Sequence, residues 1–339
     1  MRRALRPFLR RAILTAAALA AGAFAATGAH AADKVTFGTN WLAQAEHGGF
    51  YQAVADGTYA KYGLDVTIRQ GGPQANDRIL LPVGKIDFYM GANMLQGFDS
   101  VKQNVPIVSV AAIFQKDPQV LIAHPDVQSF EALKNLTLFI SKEGLASYFQ
   151  WLMADYGFRE EKVKPYTFNA APFLADKNSA MQGYITSEPY AIEREGGFKP
   201  KLFLLADQGF STYSTTIETR RELVETKPEL VQRFVDASII GWYNYLYGDN
   251  RAANSLIKKD NPDMSDDMIA FSIAKMKEYG IVDSGDTAKL GIGAMTDAHM
   301  KDFFDKMVRA KLFEANLPYQ RAYTLQFVNK GVGLVLRPK

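Results

Sequence analysis

Short apolar runs rich in β-branched residues alternate with amphipathic stretches over residues 35–215. Leu64, Val66 and Ile68 alternate with polar residues, which is the period of a strand that buries one face. Similar runs predict strands at residues 35–39, 64–69, 86–90, 107–114, 120–123, 136–140, 164–168, 181–186 and 202–205. Apolar positions with helical spacing predict helices at residues 47–62, 74–83, 93–103 and 146–156. This alternation is typical of an α/β fold with largely parallel sheets that helices cover.

The last third of the chain has a different pattern, because helical spacing dominates after about residue 215. Helices are predicted at residues 229–247, 252–259, 265–279 and 295–310. A second strand–helix series begins near residue 120, so the middle third reads as an α/β unit inserted between two outer pieces. We therefore expect one lobe from residues 32–118 and 216–339, and another from residues 119–215. The chain would cross between the lobes near residues 116–119 and 210–216, with a ligand cleft between them.

The first 31 residues have the three parts of a removable secretory signal. The basic start contains Arg2, Arg3, Arg6, Arg10 and Arg11. An alanine-rich apolar stretch follows at residues 12–26, and Ala29 and Ala31 are the small residues that a signal peptidase reads. A membrane anchor, the alternative, needs about 20 strongly apolar residues, and this stretch is shorter. We expect cleavage after residue 31 and export to the periplasm, by the general or the twin-arginine route.

Cleavage would change the charge of the protein. The whole chain has 39 lysines and arginines against 36 acidic residues. Five of the arginines and none of the acidic residues lie in the first 31 positions, so 34 basic residues remain against 36 acidic ones. The remaining chain lacks the positive balance that a nucleic-acid partner would favour, so we expect no such partner.

The chain contains no cysteine. It therefore forms no disulfide, although an oxidising compartment would permit one, and it has no attachment point for the lipid of a lipoprotein. Stability must come from burial of apolar surface, for which a chain of about 300 residues is long enough. We therefore expect a protein that is not lipid-anchored.

The segment around the first predicted helix carries a specific motif. Asn40 and Trp41 are followed by Glu-His-Gly-Gly-Phe-Tyr-Gln-Ala at residues 46–53 and by Gly-Leu-Asp-Val at residues 63–66. This pattern resembles the thiamine-pyrimidine synthase-like family of solute-binding proteins, with one extra residue between the glycine pair and Tyr51. Residues 84–88 and 129–136 resemble the wider nitrate, sulfonate and taurine receptor group.

The resemblance implies a periplasmic binding protein fold, type II-like, with two lobes around a ligand cleft. Each lobe would be a mixed, mainly parallel sheet flanked by helices. Most bacterial members deliver small molecules to the permease of an ABC importer, which a cytoplasmic ATPase drives. Some fungal members are enzymes that build the pyrimidine with a cysteine-rich iron site, and this chain has no cysteine. We therefore expect a monomeric receptor with no cofactor and no metal.

Trp41 is the first candidate ligand-binding residue. It follows the first predicted strand, and the carboxyl ends of strands face the ligand crevice in open α/β sheets. Its indole suits stacking on a planar ring, and the resemblance implies the same role. Alternatively, the indole packs at the rim of the lobe. His47 begins the predicted helix and either contacts the ligand or caps the helix. Tyr51 lies at i+4 from His47, on the same helical face.

Two further candidates open helices after predicted strands. Asn93 and Ser141 occupy equivalent positions in the two lobes, where a side chain caps the helix or binds a ligand. Free N–H groups at helix starts hold anions, which suits the sulfonate and nitrate branches of the receptor group. Gln115 and Tyr213 lie near the predicted crossings between lobes and are added to the candidates.

The segment 183–190 resembles the family position where an aromatic residue and a carboxylate meet the ligand. Glu188 would accept hydrogen bonds from an amino or amidine-like group, and Tyr184 or Tyr190 would stack opposite Trp41. Alternatively, Glu188 begins a helix, where a negative charge is favourable. By contrast, Trp242, Tyr243 and Tyr245 have helical spacing and apolar neighbours, which favours core packing.

The expected ligand is a small planar nitrogen heterocycle, such as a hydroxymethyl- or aminomethyl-pyrimidine precursor of thiamine. The alternative is a small anion, an alkanesulfonate, nitrate or a carboxylate, although Glu188 would repel it. An enzyme is disfavoured, because the sequence offers no nucleophile with base and orienter, no metal cluster and no phosphate loop. A sensor subunit would share the receptor fold and differ in its partner.

Overall fold

Two five-stranded sheets are built from ten strands in residues 31–72 and 75–338, the part of the chain that the computed structural model describes. The signal predicted for the first 31 residues lies outside the described residues, apart from Ala31. The strands are β1 Asp33–Gly38, β2 Leu64–Arg69, β3 Phe88–Asn93, β4 Ile107–Phe114, β5 Gln119–Ala123, β6 Thr137–Ile140, β7 Val163–Pro165, β8 Ser179–Tyr184, β9 Lys201–Leu204 and β10 Ser214–Arg220.

The two sheets have the same layout. The first has the strand order β2-β1-β3-β10-β4 and the second has the order β7-β6-β8-β5-β9. In each sheet the fourth strand is antiparallel to both neighbours, and the other pairings are parallel. Each sheet is therefore mixed with four strands in one direction, which confirms the predicted two-lobed α/β class.

Helices flank the sheets and occupy most of the chain after β10. The α-helices are α1 Gly48–Ala55, α2 Thr58–Lys61, α3 Met94–Lys102, α4 Lys142–Leu145, α5 Tyr148–Tyr156, α6 Ala171–Ala175, α7 Glu188–Gly196, α8 Arg221–Thr226, α9 Pro228–Tyr247, α10 Arg251–Asp260, α11 Asp266–Glu278, α12 Thr287–Leu290 and α13 Asp297–Arg309. Short 3₁₀ turns lie at Ala45–His47, Asp77–Leu80, Glu131–Asn135, Glu160–Lys162, Leu205–Gln208, Tyr319–Ala322 and Leu334–Leu336. No helix of the described residues is long and apolar enough to span a membrane.

Several predicted boundaries were wrong. The helix predicted for residues 47–62 is two helices, because Gly57 between them has a left-handed φ of 73°. The helix predicted for residues 74–83 is only the 3₁₀ turn Asp77–Leu80 within the described residues. Strand β10 was missed, because Ile217 is its only strongly apolar residue. It is nevertheless buried, since it lies between β3 and β4 and Glu218 is paired with Arg78.

The glycine pair of the first-helix motif allows α1 to pack closely on α9. A Cβ atom added at Gly49 would lie 2.1 Å from the ring of Trp242, and one at Gly48 would lie 2.0 Å from the ring of Tyr245. A Cβ atom added at Gly241 of α9 would lie 2.3 Å from the carbonyl oxygen of Gly49. Trp242 and Tyr245 are fully buried, so this part of the motif serves packing and supports the turn that precedes α1.

Candidate ligand-binding site

A cavity opens between the carboxyl ends of the two sheets and has about 620 Å³ of atom-free space, its open mouth included. On the first sheet's side the polar and aromatic lining comes from Asn40, Trp41, Gln44, Glu46, His47 and Asn93. On the second sheet's side it includes Ser141, Glu143, Ser147, Tyr184 and Glu188, and Asp117 contributes from the segment between β4 and β5, where the chain crosses between the sheets. The segments that follow β1, β3, β6 and β8 meet here, which is the position that open α/β sheets use for ligands.

Six of the residues proposed from the sequence line this cavity. They are Trp41, His47, Asn93, Ser141, Tyr184 and Glu188. Strand order explains why they meet: each lies at or just beyond the carboxyl end of a strand near the middle of its sheet, or on the turn that follows. Their assignment as ligand contacts stays a prediction.

The other four proposed residues lie outside the lining. The hydroxyl of Tyr51 donates to Asp260 at the end of α10 over 2.8 Å, although Tyr51 is one helical turn from His47. The hydroxyl of Tyr213 donates to Asp286 over 2.6 Å. The side-chain amide of Gln115 donates to two backbone carbonyl groups. The ring of Tyr190 packs on Phe271. We therefore leave these four out of the candidate site.

Trp41 is half-buried and contacts two aromatic residues that follow β7. The ring of Tyr166 is nearly parallel to the indole, with an interplanar angle of 14° and centroids 6.3 Å apart. Phe168 approaches Trp41 edge-on, at an angle of 81°. The ring parallel to Trp41 is thus that of Tyr166, and the expectation that Tyr184 stacks on a ligand opposite Trp41 stays a prediction. Sequence reasoning missed Tyr166 because β7 is a three-residue edge strand, too short to show where its carboxyl end lies.

Glu188 is the first residue of α7, and both of its carboxylate oxygens accept hydrogen bonds. Oε1 accepts from the hydroxyl of Tyr166 over 3.2 Å, and Oε2 accepts from the backbone N–H of Tyr184 over 2.7 Å. Burial, with a smaller contribution from the nearby Glu46, raises the pKa of Glu188 to about 7. Glu188 thus connects Tyr166, which lies beside Trp41, to the backbone of Tyr184 in the cavity lining.

Three more acidic residues line the cavity, and sequence reasoning missed them. Burial raises the pKa of Asp117 and that of Glu143 to about 7 each, and it also raises the pKa of Glu46. Burial raises the pKa of Tyr184 too, and all four lining carboxylates add to that shift. A signal was present, since Glu46 lies in the motif and Asp117 in a predicted crossing.

No lysine or arginine lines the cavity in the described part of the chain. Arg78 lies close enough to Glu143 to lower its pKa, but the guanidinium of Arg78 binds both oxygens of Glu218 at 2.8 Å. The candidate anion-binding helix starts are occupied as well. Asn93 accepts from the N–H of Leu95, and Ser141 accepts from the N–H of Gly144. These contacts use N–H groups that an anion would need.

Four buried polar atoms of lining residues lack a hydrogen-bond partner among the described residues. They are Asn40 Oδ1, Gln44 Nε2, Glu46 Oε2 and His47 Nδ1. Burial lowers the pKa of His47 to about 3, so its imidazole is neutral at physiological pH. Buried polar groups are normally hydrogen-bonded, so this turn offers donors and acceptors to a bound molecule. The described residues contain no cluster of histidine and acidic side chains suited to a metal ion.

Three side-chain hydrogen bonds join the two walls of the cavity. Asn93 Nδ2 donates to Ser147 Oγ over 2.7 Å, and Asn40 Nδ2 donates to Glu143 Oε1 over 3.2 Å. The hydroxyl of Thr186 donates to Glu46 Oε1. All three cross from the first sheet's side to the second sheet's side. The walls are therefore in direct contact, and these bonds must break if the cleft opens.

The chain is similar to a riboflavin-binding protein, RibY, from Chloroflexus aurantiacus. The two are 25% identical over 312 residues, which cover 88% of this chain and 87% of the relative.

Two solved structures have a similar fold. One is the alkanesulfonate-binding protein SsuA from Xanthomonas axonopodis pv. citri bound to MOPS, with a TM-score of 0.63, 14% identity and coverage of 87% of this chain and 99% of that one. The other is a Candida albicans protein described as having the generic periplasmic binding protein fold, with a TM-score of 0.61, 14% identity and coverage of 86% and 96%. At this identity the similarity shows the fold alone, and it confirms the predicted fold.

A family model extends the comparison to the sequence motif itself. The model described as NMT1/THI5 like matches residues 44–252, which include the glycine pair, every strand except β1 and the whole of α9. The match covers more than half of the chain and confirms the resemblance seen in the motif. This chain therefore belongs to the NMT1/THI5-like family.

Proposed function

We propose that this chain is the solute-binding receptor of an ABC importer and clamps a small planar nitrogen heterocycle in the periplasm. The observation that carries the proposal is the lining of the cavity. Trp41 offers an aromatic face at its edge, and four buried acidic side chains, with no lysine or arginine among the described lining residues, surround its interior. Family membership, the fold and the similarity to receptor proteins support this role.

The chemistry of the lining favours a ring that carries hydrogen-bond donors. An indole attracts a planar ring through stacking and burial of apolar surface. Carboxylates such as Glu46 and Glu143 accept hydrogen bonds and do not donate them when ionised. A ring with amino groups satisfies both requirements, and an amino-pyrimidine precursor of thiamine is the ligand we favour.

A flavin is the second candidate ligand. The similar protein from Chloroflexus aurantiacus is named for binding riboflavin, and the isoalloxazine of riboflavin is also a planar nitrogen heterocycle. A small anion is disfavoured, although SsuA, which has the same fold, is an alkanesulfonate-binding protein. The four acidic groups would repel an anion, and the caps at Asn93 and Ser141 occupy N–H groups that would bind it.

Binding in this proposal proceeds by lobe closure, which is a known motion of periplasmic binding proteins. The lobes are residues 32–118 with 216–339, and residues 119–215, with crossings near 116–119 and 210–216. A ligand selects the closed form only as far as it contacts both walls, and Trp41 and Glu188 lie on opposite walls. The closed receptor, acting as a monomer released from its signal segment, would then dock on the importer's permease.

Calorimetry and thermal unfolding of residues 32–339 test this proposal. We expect 4-amino-5-hydroxymethyl-2-methylpyrimidine or riboflavin to raise the unfolding temperature, since a ligand at 100 times its Kd stabilises by about 2.7 kcal/mol. Trp41→Ala should weaken binding at least tenfold and Trp41→Phe by less, because a phenyl ring still stacks. Tighter binding of an alkanesulfonate than of either heterocycle would contradict the proposal, as would an unchanged Kd in Trp41→Ala.

A further inference from the structure

Glu46 and Glu188 line the same cavity from opposite walls. Glu46 lies in the 3₁₀ turn Ala45–His47 after β1 and is 1% exposed. Glu188 begins α7 after β8 and is 8% exposed. Because one residue belongs to each wall, closure of the cleft brings the two carboxyl groups into one dry space, and opening separates them.

The hydrogen bonds of this pair come from neutral groups. Glu46 Oε1 accepts from the hydroxyl of Thr186, whereas Glu46 Oε2 has no hydrogen-bond partner in the described part of the chain. Glu188 accepts from the hydroxyl of Tyr166 and the backbone N–H of Tyr184. Hydrogen bonds from neutral donors lower the cost of a buried negative charge but do not cancel it, and a buried charge without a counter-ion is costly.

Among the described residues, the surroundings of the pair supply no counter-ion. The titratable groups that line the cavity or act on this pair are His47, Asp117, Glu143, Tyr148, Tyr166, Tyr184 and Tyr245. Burial keeps His47 neutral by lowering its pKa to about 3. The tyrosines are neutral because burial raises the pKa of each, and Asp117 and Glu143 add negative charge when ionised. The guanidinium of Arg78 is bound by Glu218.

We infer that Glu46 is a specificity-determining residue which, with Glu188, makes tight closure depend on a positively charged nitrogen in the ligand, a protonated amine or an amidinium. This inference rests on the proposed receptor function and names the ligand class. A cationic nitrogen would provide the missing counter-ion and a donor for Glu46 Oε2 in one group. A neutral ring of equal size would leave the closed receptor to take up a proton instead. The raised pKa of Glu46, and that of Glu188 near 7, support this reading.

A matched pair of probes tests the charge requirement directly. The compounds 4-amino-5-aminomethyl-2-methylpyrimidine and 4-amino-5-hydroxymethyl-2-methylpyrimidine have the same ring and nearly the same size, but only the first carries an ammonium group. At pH 7.5 we expect the wild-type protein to bind the ammonium compound at least tenfold tighter by calorimetry. Glu46→Gln should reduce this ratio to about threefold or less, while the Gln carbonyl oxygen still accepts from Thr186.

The pH profile provides a second readout that a merely structural role would not change. Riboflavin, which stays uncharged between pH 5.5 and pH 8, should bind tighter to wild type at pH 5.5 than at pH 8, because protons then neutralise the acidic pair, and Glu46→Gln should reduce that difference. Glu314→Gln is the matched control, since Glu314 is exposed and outside the lining. It should preserve both the affinity ratio and the pH profile.

The outcomes separate this inference from the proposed function. Equal affinity of the two pyrimidines for wild type, or a ratio unchanged in a folded Glu46→Gln protein, would overturn the inference and leave a receptor for planar heterocycles standing. Tight binding of riboflavin, a neutral ring, with no selection between the pyrimidines would do the same. Failure of the pyrimidines and of riboflavin to bind would remove the proposed function, and the inference with it.

Discussion

Trp41 and Tyr166 lie on opposite walls of the candidate cleft with their ring planes within 14° of each other and their centroids 6.3 Å apart. The two rings are in contact across the cleft, so a planar ring can stack on Trp41 in place of Tyr166 only if the walls move relative to each other. Because Tyr166 also donates a hydrogen bond to Glu188, the same movement would reposition an acidic group of the cavity.

Ligand binding should change the fluorescence of this protein through Trp41. The other two tryptophans in the sequence, Trp151 and Trp242, are at most 2% exposed and lie in the core. Only the half-buried Trp41 lines the cavity, so a stacked ligand would alter its emission. A titration of wild type should show a saturable change that Trp41→Phe abolishes. A ligand-induced change that persists in Trp41→Phe would assign the signal, and the contact, to another region.

The stability of the empty protein should depend on pH through Glu143. Burial raises its pKa from about 4.5 to about 7, so the folded state holds its proton more tightly than the unfolded chain. This contribution to stability is fully present below pH 4.5 and is lost as pH rises through 7. Glu143→Gln mimics the protonated form and can still accept from Asn40. We expect it to stabilise the protein by about 3 kcal/mol at pH 8, since each unit of raised pKa corresponds to about 1.4 kcal/mol.

Urea unfolding at pH 5 and pH 8 measures this effect. The difference between Glu143→Gln and wild type should be several times larger at pH 8 than at pH 5. The exposed Glu314→Gln control should show little difference at either pH. A larger gain at pH 5 than at pH 8 would contradict the direction of the pKa shift.

The hydrogen bond between Asn93 and Ser147 should stabilise the closed cleft. Both residues are buried, and Asn93 Nδ2 donates to Ser147 Oγ over 2.7 Å. Ser147→Ala leaves that amide unpaired in the closed form, at a cost of about 1–3 kcal/mol, whereas water can bind it in an open form. We expect ligand affinity to fall by roughly 5- to 100-fold, with faster dissociation measured by stopped flow.

Ser255→Ala is the control for this substitution. Ser255 is exposed on α10 and its hydroxyl donates to the carbonyl of Arg251, so its removal should leave ligand affinity unchanged. Small-angle scattering of unliganded Ser147→Ala should also show a larger radius of gyration than wild type. An unchanged affinity and radius would mean that this bond does not control closure.

The glycine pair of the motif predicts a sharp difference between two glycine-to-alanine substitutions. Gly49→Ala places a Cβ atom 2.1 Å from the ring of Trp242, so α1 and α9 must separate. Overpacking of this kind costs about 1–3 kcal/mol or more. Gly72→Ala meets no atom closer than 3.7 Å, which is ordinary contact. Thermal unfolding should show a loss of several degrees for Gly49→Ala and little change for Gly72→Ala, and equal losses would argue against the packing role.

Much of the fold was predictable because it depends on local periodicity. Strand β4 was predicted with its observed bounds, and most other strands and long helices were predicted to within a few residues. Strand β10 was not predicted, because its burial depends on partners distant in sequence. The carboxylate of Glu218 can be buried in the core because the guanidinium of Arg78, 140 residues earlier in the sequence, binds it.

The candidate site was predictable only where a residue follows a strand or belongs to the motif. Trp41, Asn93 and Ser141 were found by this rule. Tyr166 was not found, because β7 is short and its neighbour β6 comes from a different part of the sequence.

By itself the sequence determined the α/β class, the family and the alternation of strands and helices, since these follow from residue periodicity and from a motif within about 30 consecutive positions. Only the tertiary structure decided which side chains share the cavity. Glu46, Asp117, Glu143 and Glu188 are separated by up to 142 residues in sequence, and they converge because the two sheets present their carboxyl ends to each other. Burial there raises the pKa of each of these groups, and residue periodicity does not show which polar side chains are buried together.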